Sequence, residues 1–157
     1  MQHDAHAMHG HPYRRLALMS ALMFAAMYAL MYAMVDRWGN VYNSLNQLWM
    51  ALLMTAAMLV IELVVMRKMY PGRGRNAAIL VVTVVALVGS WFAIRQQAAI
   101  GDDQFLRSMI PHHAGAVLMC EQAPVTNPEI VALCGDIVAS QRREIARMKA
   151  ILARDGR

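Results

Sequence analysis

Three runs of nonpolar residues divide the chain. Residues 16–35 are interrupted only by Ser20, 48–66 only by Thr55 and Glu62, and 77–94 only by Thr83 and Ser90. Each has roughly the ~20 residues a helix needs to cross a hydrocarbon core of ~30 Å. The first run is longer than the roughly 7–15 residues of a signal-peptide core, and no small-x-small site precedes its polar turn, so it is expected to be retained. After Gly101 the pattern becomes amphipathic. Residues 102–122 predict one helix, with Asp102 or Asp103 at the end where a carboxylate suits the helix dipole. A turn follows, and Asn127 ahead of Pro128 marks a helix start. The second helix is expected over 129–154, with Ile130, Leu133, Cys134, Ile137, Ile145, Met148 and Leu152 along one side. Two helices of this length cannot enclose a core, so the hairpin is expected to pair with a second copy in a four-helix, ferritin-like bundle. The predicted class is all-α: a polar tail over 1–15, a membrane region over 16–94 with spans near 16–35, 48–66 and 77–94, and a hairpin over 101–157.

Composition sharpens this picture. The chain of 157 residues is 59% hydrophobic and 16% charged, with a mean hydropathy of +0.37, which excludes a disordered chain and argues against a soluble globule. The net charge of +5 does not indicate nucleic acid. Acidic and basic residues cancel from Gly101 onward, so the excess lies beside the apolar runs, as in membrane flanks. Arg14, Arg15, Arg67, Lys68, Arg73 and Arg75 fall on the side that holds the N-terminus and the second loop. The positive-inside rule places that side in the cytoplasm and everything after Ile94 outside it. Trp38, Tyr42, Trp49 and Trp91 are then expected at the outer interface, with Tyr13 and Tyr70 at the inner one.

Methionine is unusually frequent, 15 of 157 residues. In the first span it falls at 19, 23, 27, 31 and 34, and in the second at 50, 54, 58, 66 and 69, with Glu62 filling the missing step of the second series. Steps of four keep side chains near one helix face. Thioether sulfur is a soft, uncharged ligand suited to Cu(I) or Ag(I), whereas methionine is also an ordinary packing residue. Met23, Met27, Met31, Met50, Met54, Met58 and Glu62 therefore form a candidate metal ladder. Glu62 alone is ionisable within a span, a costly position unless it has a partner or reaches the interface near Arg67.

The hairpin carries the most specific pattern. Met109 and His113 are one turn apart, His112 adjoins them, and Met119 lies a heptad beyond His112. Gln141, Glu144 and Met148 share a face of the second helix, and Gln141 and Glu144 interrupt its apolar stripe, so these two need partners across the hairpin. Pro111 is expected to bend the first helix and aim both imidazoles at that face. Imidazole, thioether and carboxylate together suit copper better than magnesium or calcium. A second cluster, His3, His6 and His9, begins with a free amine and a third-position histidine, an arrangement that chelates square-planar Cu(II) or Ni(II), the alternative being an incidentally His-rich tail on the cytoplasmic side, where copper is Cu(I). Cys120 and Cys134 stand at similar heights on either side of the turn and are expected to form a disulfide outside the cytoplasm. No Glu-x-x-His pair and no nucleophile–base triad occurs, so neither a carboxylate-bridged di-metal oxidase nor another enzyme is expected.

The segment MIPHHAGAVLMC, followed one helix later by Gln141, Glu144, Ile145 and Met148, resembles the DUF305 family over residues 102 to about 153. Its pattern is an aspartate, FLxxMIPHHxxA and then QxxEIxxM. Members are helical, usually exported, and associated with copper and silver handling in bacteria. The resemblance implies metal contact by Met109, His112, His113, Met119 and Met148, with Gln141, Glu144 and Asp103 in support. The chain departs from simpler members in carrying three spans and a single hairpin. The expectation is a multi-pass protein of the bacterial inner membrane that sequesters or hands over copper, preferentially Cu(I), or silver, through a self-associated hairpin and with a copper-handling protein as a possible partner. The rival is an accessory subunit of a membrane complex whose methionines serve only packing.

Overall fold

A computed structural model describes residues 12–155, and all of its long elements are helices: α1 (Pro12–Leu30), α2 (Leu45–Val65), α3 (Arg73–Arg95), α4 (Asp102–Gln122) and α5 (Pro128–Asp155). The histidine cluster at His3, His6 and His9 lies outside the described residues. Pro12 opens α1, where its fixed φ and missing N–H cost nothing. A 3₁₀ turn, Met31–Met34, closes this span. Ser44 caps α2 by accepting from the Gln47 N–H. Asn127 Oδ1 accepts from the Glu129 N–H at 2.9 Å and starts α5 at the expected position.

The first three helices are each long and apolar enough to cross a bilayer. Beside a small apolar cluster at Leu16, Leu63 and Tyr70, the interior holds polar side chains while much of the apolar surface faces outward. Buried positions include Gln47, Thr55, Thr83 and Ser90, while Val81, Val82 and Val85 are exposed. Small residues on α2, Ala51 and Ala56, are also buried, so the backbones approach closely. Thr55 and Thr83 donate their hydroxyls to the carbonyls of Ala51 and Ile79, which leaves these donors satisfied without water.

At the end carrying the α2–α3 loop, a tyrosine clamp joins α1 to that loop. The Tyr13 hydroxyl donates to Asn76 Oδ1 and accepts from the Gly72 N–H, each at 2.9 Å. Asn76 in turn donates to the Tyr70 carbonyl, and the Tyr70 hydroxyl donates to Glu62 at 2.6 Å. Burial first, and then this bond to Glu62, pushes the Tyr70 hydroxyl up to about 12, so it remains a donor. Gly72 is needed for close approach: a Cβ there would lie 2.8 Å from the Tyr13 oxygen. Tyr13→Phe is expected to lower stability by about 1–2 kcal/mol, because it removes one bond and strips the Gly72 N–H of its partner. A thermal melt of the detergent-solubilised chain checks this, and an unchanged midpoint would contradict the clamp.

The opposite end carries the α4–α5 hairpin. Ile110 and Ala114 on α4 pack on Ile145 and Met148 of α5, and Val35 and Tyr42 of the first loop complete the cluster. That loop is therefore more than a connector. Lys149 donates to the Gly39 carbonyl at 2.7 Å and lies over the Tyr42 ring. Tyr42, expected near the outer interface, packs on the hairpin core, and the chain's own first loop covers part of that core. The apolar stripe of α5 is only partly used, since Ile145 and Met148 are buried but Ile130 and Leu133 remain exposed. Cys120 and Cys134 form the expected disulfide across the turn, with Cα atoms 5.2 Å apart. Arg142 pairs with Glu121 beside it.

Candidate metal centre

Docking of the hairpin onto the bundle depends on a few specific contacts. Gln104 accepts from the Leu45 N–H at 2.9 Å, and the Trp49 indole donates to the Ala98 carbonyl at 3.3 Å. Gly115, buried on α4, faces the backbone of Met34, whose carbonyl would lie 3.5 Å from an added Cβ. Between these contacts lies an open cavity of about 460 Å³. Met31 and Met34 from the end of α1, Met50 from α2, and Met109, His112 and Met119 from α4 line it. The 3₁₀ turn matters here. Residues i and i+3 eclipse in that geometry, so Met31 and Met34 stand on one side of the turn.

The two histidines part company. Adjacent residues on a helix point about 100° apart, and their rings lie 6.1 Å apart with planes inclined at 64°. His112 is exposed and lines the cavity. His113 is buried between α4 and α5: its Nδ1 lies 2.9 Å from the Met109 carbonyl and its Nε2 lies 2.7 Å from Glu144 Oε2. The Met109 carbonyl can only accept, so Nδ1 is placed to donate to it, while Nε2 lies against the Glu144 carboxylate. The expectation that both imidazoles share one face with Gln141, Glu144 and Met148 is therefore corrected. Pro111 sits inside α4 without ending it, and the helix keeps the two rings apart.

The other candidates divide in the same way. Met148 is buried in the hairpin core, and Glu144 is engaged at both oxygens, by His113 and by the Ser140 hydroxyl at 2.7 Å. Gln141 is half-buried and Asp103 exposed; neither is a partner of the His113 ring. Of the ladder, Met31 and Met50 reach the cavity. Met23, Met27, Met54 and Met58 lie outside its lining, and Glu62 is taken by Tyr70. Met54 and Met58 are exposed on the bundle surface. Among the described residues, no three His, Cys, Asp or Glu side chains converge as a metal cluster.

Sequence reasoning missed Met34 as a site residue, and also the polar wall of the cavity formed by Ser44, Asn46, Gln47 and Ser108. The signal for Met34 was the closing step of three in the methionine series. The side-chain oxygens of Asn46 and Gln47 are buried without a hydrogen-bond partner, which leaves two free acceptors on residues of that wall.

Glu144 offers a pH test of the separate His113 pair. The Ser140 hydroxyl first, and then His113, hold its carboxyl below the ordinary 4.5. A carboxyl depressed in the folded state contributes stability above its unfolded value, and that contribution disappears as pH falls through the lowered one. The melting temperature is expected to hold down to about pH 5 and to decline below it, with a flatter decline in Glu144→Gln. Identical acid profiles for the two proteins would contradict the pairing.

The comparisons agree with the hairpin pattern. Residues 93–154 match the family described as "Domain of unknown function (DUF305)". An uncharacterized protein of Acanthamoeba polyphaga mimivirus is 36% identical over 116 residues, which cover 73% of this chain and 74% of its own. That stretch is longer than the family match, so the likeness runs upstream into the apolar helices. No solved structure matches. The chain belongs to the DUF305 family.

Proposed function

We propose that this protein is a membrane-anchored binding protein for a soft monovalent metal ion, Cu(I) or Ag(I), which it sequesters or hands on without covalent chemistry. The carrying observation is the cavity at the junction of bundle and hairpin, whose lining includes five methionines and His112. Cu(I) and Ag(I) favour sulfur and imidazole ligands, and neutral thioethers can receive such an ion in a low-dielectric site without burying a second charge. His112 and Met119, both exposed, line the cavity and are accessible to an ion or to a partner carrying one. Bilayer insertion is supported by the length and hydropathy of the three helices and by their large exposed apolar side chains. The basic residues near the Tyr13–Tyr70 clamp support an orientation with that end in the cytoplasm and the hairpin outside, across a bacterial inner membrane.

Competition titration of the purified full chain with Ag(I) and Cu(I) tests the reading. One tightly held ion per chain is expected, and the absence of any bound ion would reduce the methionines to packing residues. Orientation has its own check: a reporter fused after Arg157 should be active only if it works outside the cytoplasm.

A further inference from the structure

We propose that a second, cationic pocket between the first loop and α5 holds the phosphate of an anionic phospholipid headgroup. The pocket, about 250 Å³, is lined by Asp36, Arg37, Asn40, Arg142 and Lys149. Three cations face one carboxylate. That carboxylate is already engaged: Asp36 accepts from Arg37 at 2.9 Å and from the buried Asn40 at 2.5 Å. Arg142 pairs with Glu121, whereas the Lys149 ammonium meets a carbonyl and a tyrosine ring, neither of which cancels its charge. The pocket is thus net positive and rich in spare N–H donors, which suits a phosphate. A zwitterionic headgroup would bring its own cation to this wall.

A neighbouring groove favours a lipid over free phosphate. Asp36 and Arg37 also form part of a groove of about 300 Å³ lined by Tyr32, Ala33, Val35 and Trp38. This groove lies at the end of the first apolar helix, which is headgroup depth if that helix spans a bilayer. Trp38 is 88% exposed there, the placement of an interfacial indole. A lipid can thus set its phosphate in the cationic pocket and its glycerol and upper acyl region in the groove.

The inference rests on the membrane-spanning reading and is independent of the metal. The test uses the full chain in a neutral detergent, with phosphatidylglycerol, phosphatidylcholine or inorganic phosphate added, and native mass spectrometry as the readout. Phosphatidylglycerol is expected to be retained preferentially, and inorganic phosphate at equal concentration should not displace it. Lys149→Gln keeps a donor for the Gly39 carbonyl while removing charge, and Arg37→Gln provides a second variant; each should weaken retention about fivefold with the helical signal intact. Equal retention of the two lipids, or unchanged retention in both variants, would overturn the headgroup site. Displacement by inorganic phosphate would assign the pocket to the free anion and overturn it as well. Carbonate extraction of the native membrane keeps the two claims apart. A protein released by carbonate contradicts the spanning reading, and one that stays in the pellet but retains both lipids equally contradicts only this site.

Discussion

Replacing Met34 and Met50 by leucine in the full chain is expected to weaken Ag(I) and Cu(I) binding by on the order of 100-fold or more. Loss of an outer-shell partner weakens metal binding roughly 10–100-fold, and here two sulfur donors are lost from the cavity itself. Leucine keeps size and apolarity, so the fold should persist. These residues belong to the bundle, not the hairpin, so the result separates a composite site from one confined to the family motif. His112→Ala should weaken binding in the same direction. His113→Ala should leave affinity within about threefold, while lowering stability because Glu144 loses its partner. Competition titration and thermal melts of the same proteins provide both readouts. If His113→Ala abolished binding while Met34→Leu with Met50→Leu did not, the ion would lie between α4 and α5 and the cavity assignment would fail.

Reduction of the Cys120–Cys134 disulfide should have the largest effect on hairpin stability. The bridge closes a loop with a sequence separation of 14, and chain-entropy arguments give about 3 kcal/mol for a loop of about 15 residues. The hairpin core is small, with Ile110, Ala114, Ile145 and Met148 at its centre, so such a loss should be visible as early melting of α4 and α5. Hydrogen exchange with and without reductant measures it directly. Protection factors in α4 and α5 that are unaffected by reduction would show that loop packing at Val35 and Tyr42 suffices.

The fold was largely legible in the sequence, for physical reasons. Long apolar runs and an amphipathic stripe encode helices locally, so α4 and α5 begin and end within a residue or two of their expected bounds. Asn127 and Pro128 fix the start of α5 through chemistry that any chain would share. The candidate site was legible only in its ingredients. Met31, Met50, Met109, His112 and Met119 could each be picked out by residue type, but their meeting depends on tertiary docking through Gly115, Gln104 and Trp49. No periodicity records that docking. The histidine pair shows the same limit at short range. Grouping His112 with His113 ignored the 100° between neighbours on a helix, which sends one ring to the cavity and the other to Glu144. The role of the first loop was hidden because its contribution, Val35 and Tyr42, matters only once the hairpin folds back over it.

The central claim, a soft-metal site built jointly by bundle and hairpin, is tested most directly by X-ray absorption at the metal edge of the full chain loaded with one equivalent of Ag(I) or Cu(I). The account predicts a shell dominated by thioether sulfur, with at most one imidazole nitrogen, and a loss of sulfur scattering in Met34→Leu with Met50→Leu. A shell of nitrogen and oxygen alone, unchanged by that double substitution, would contradict it.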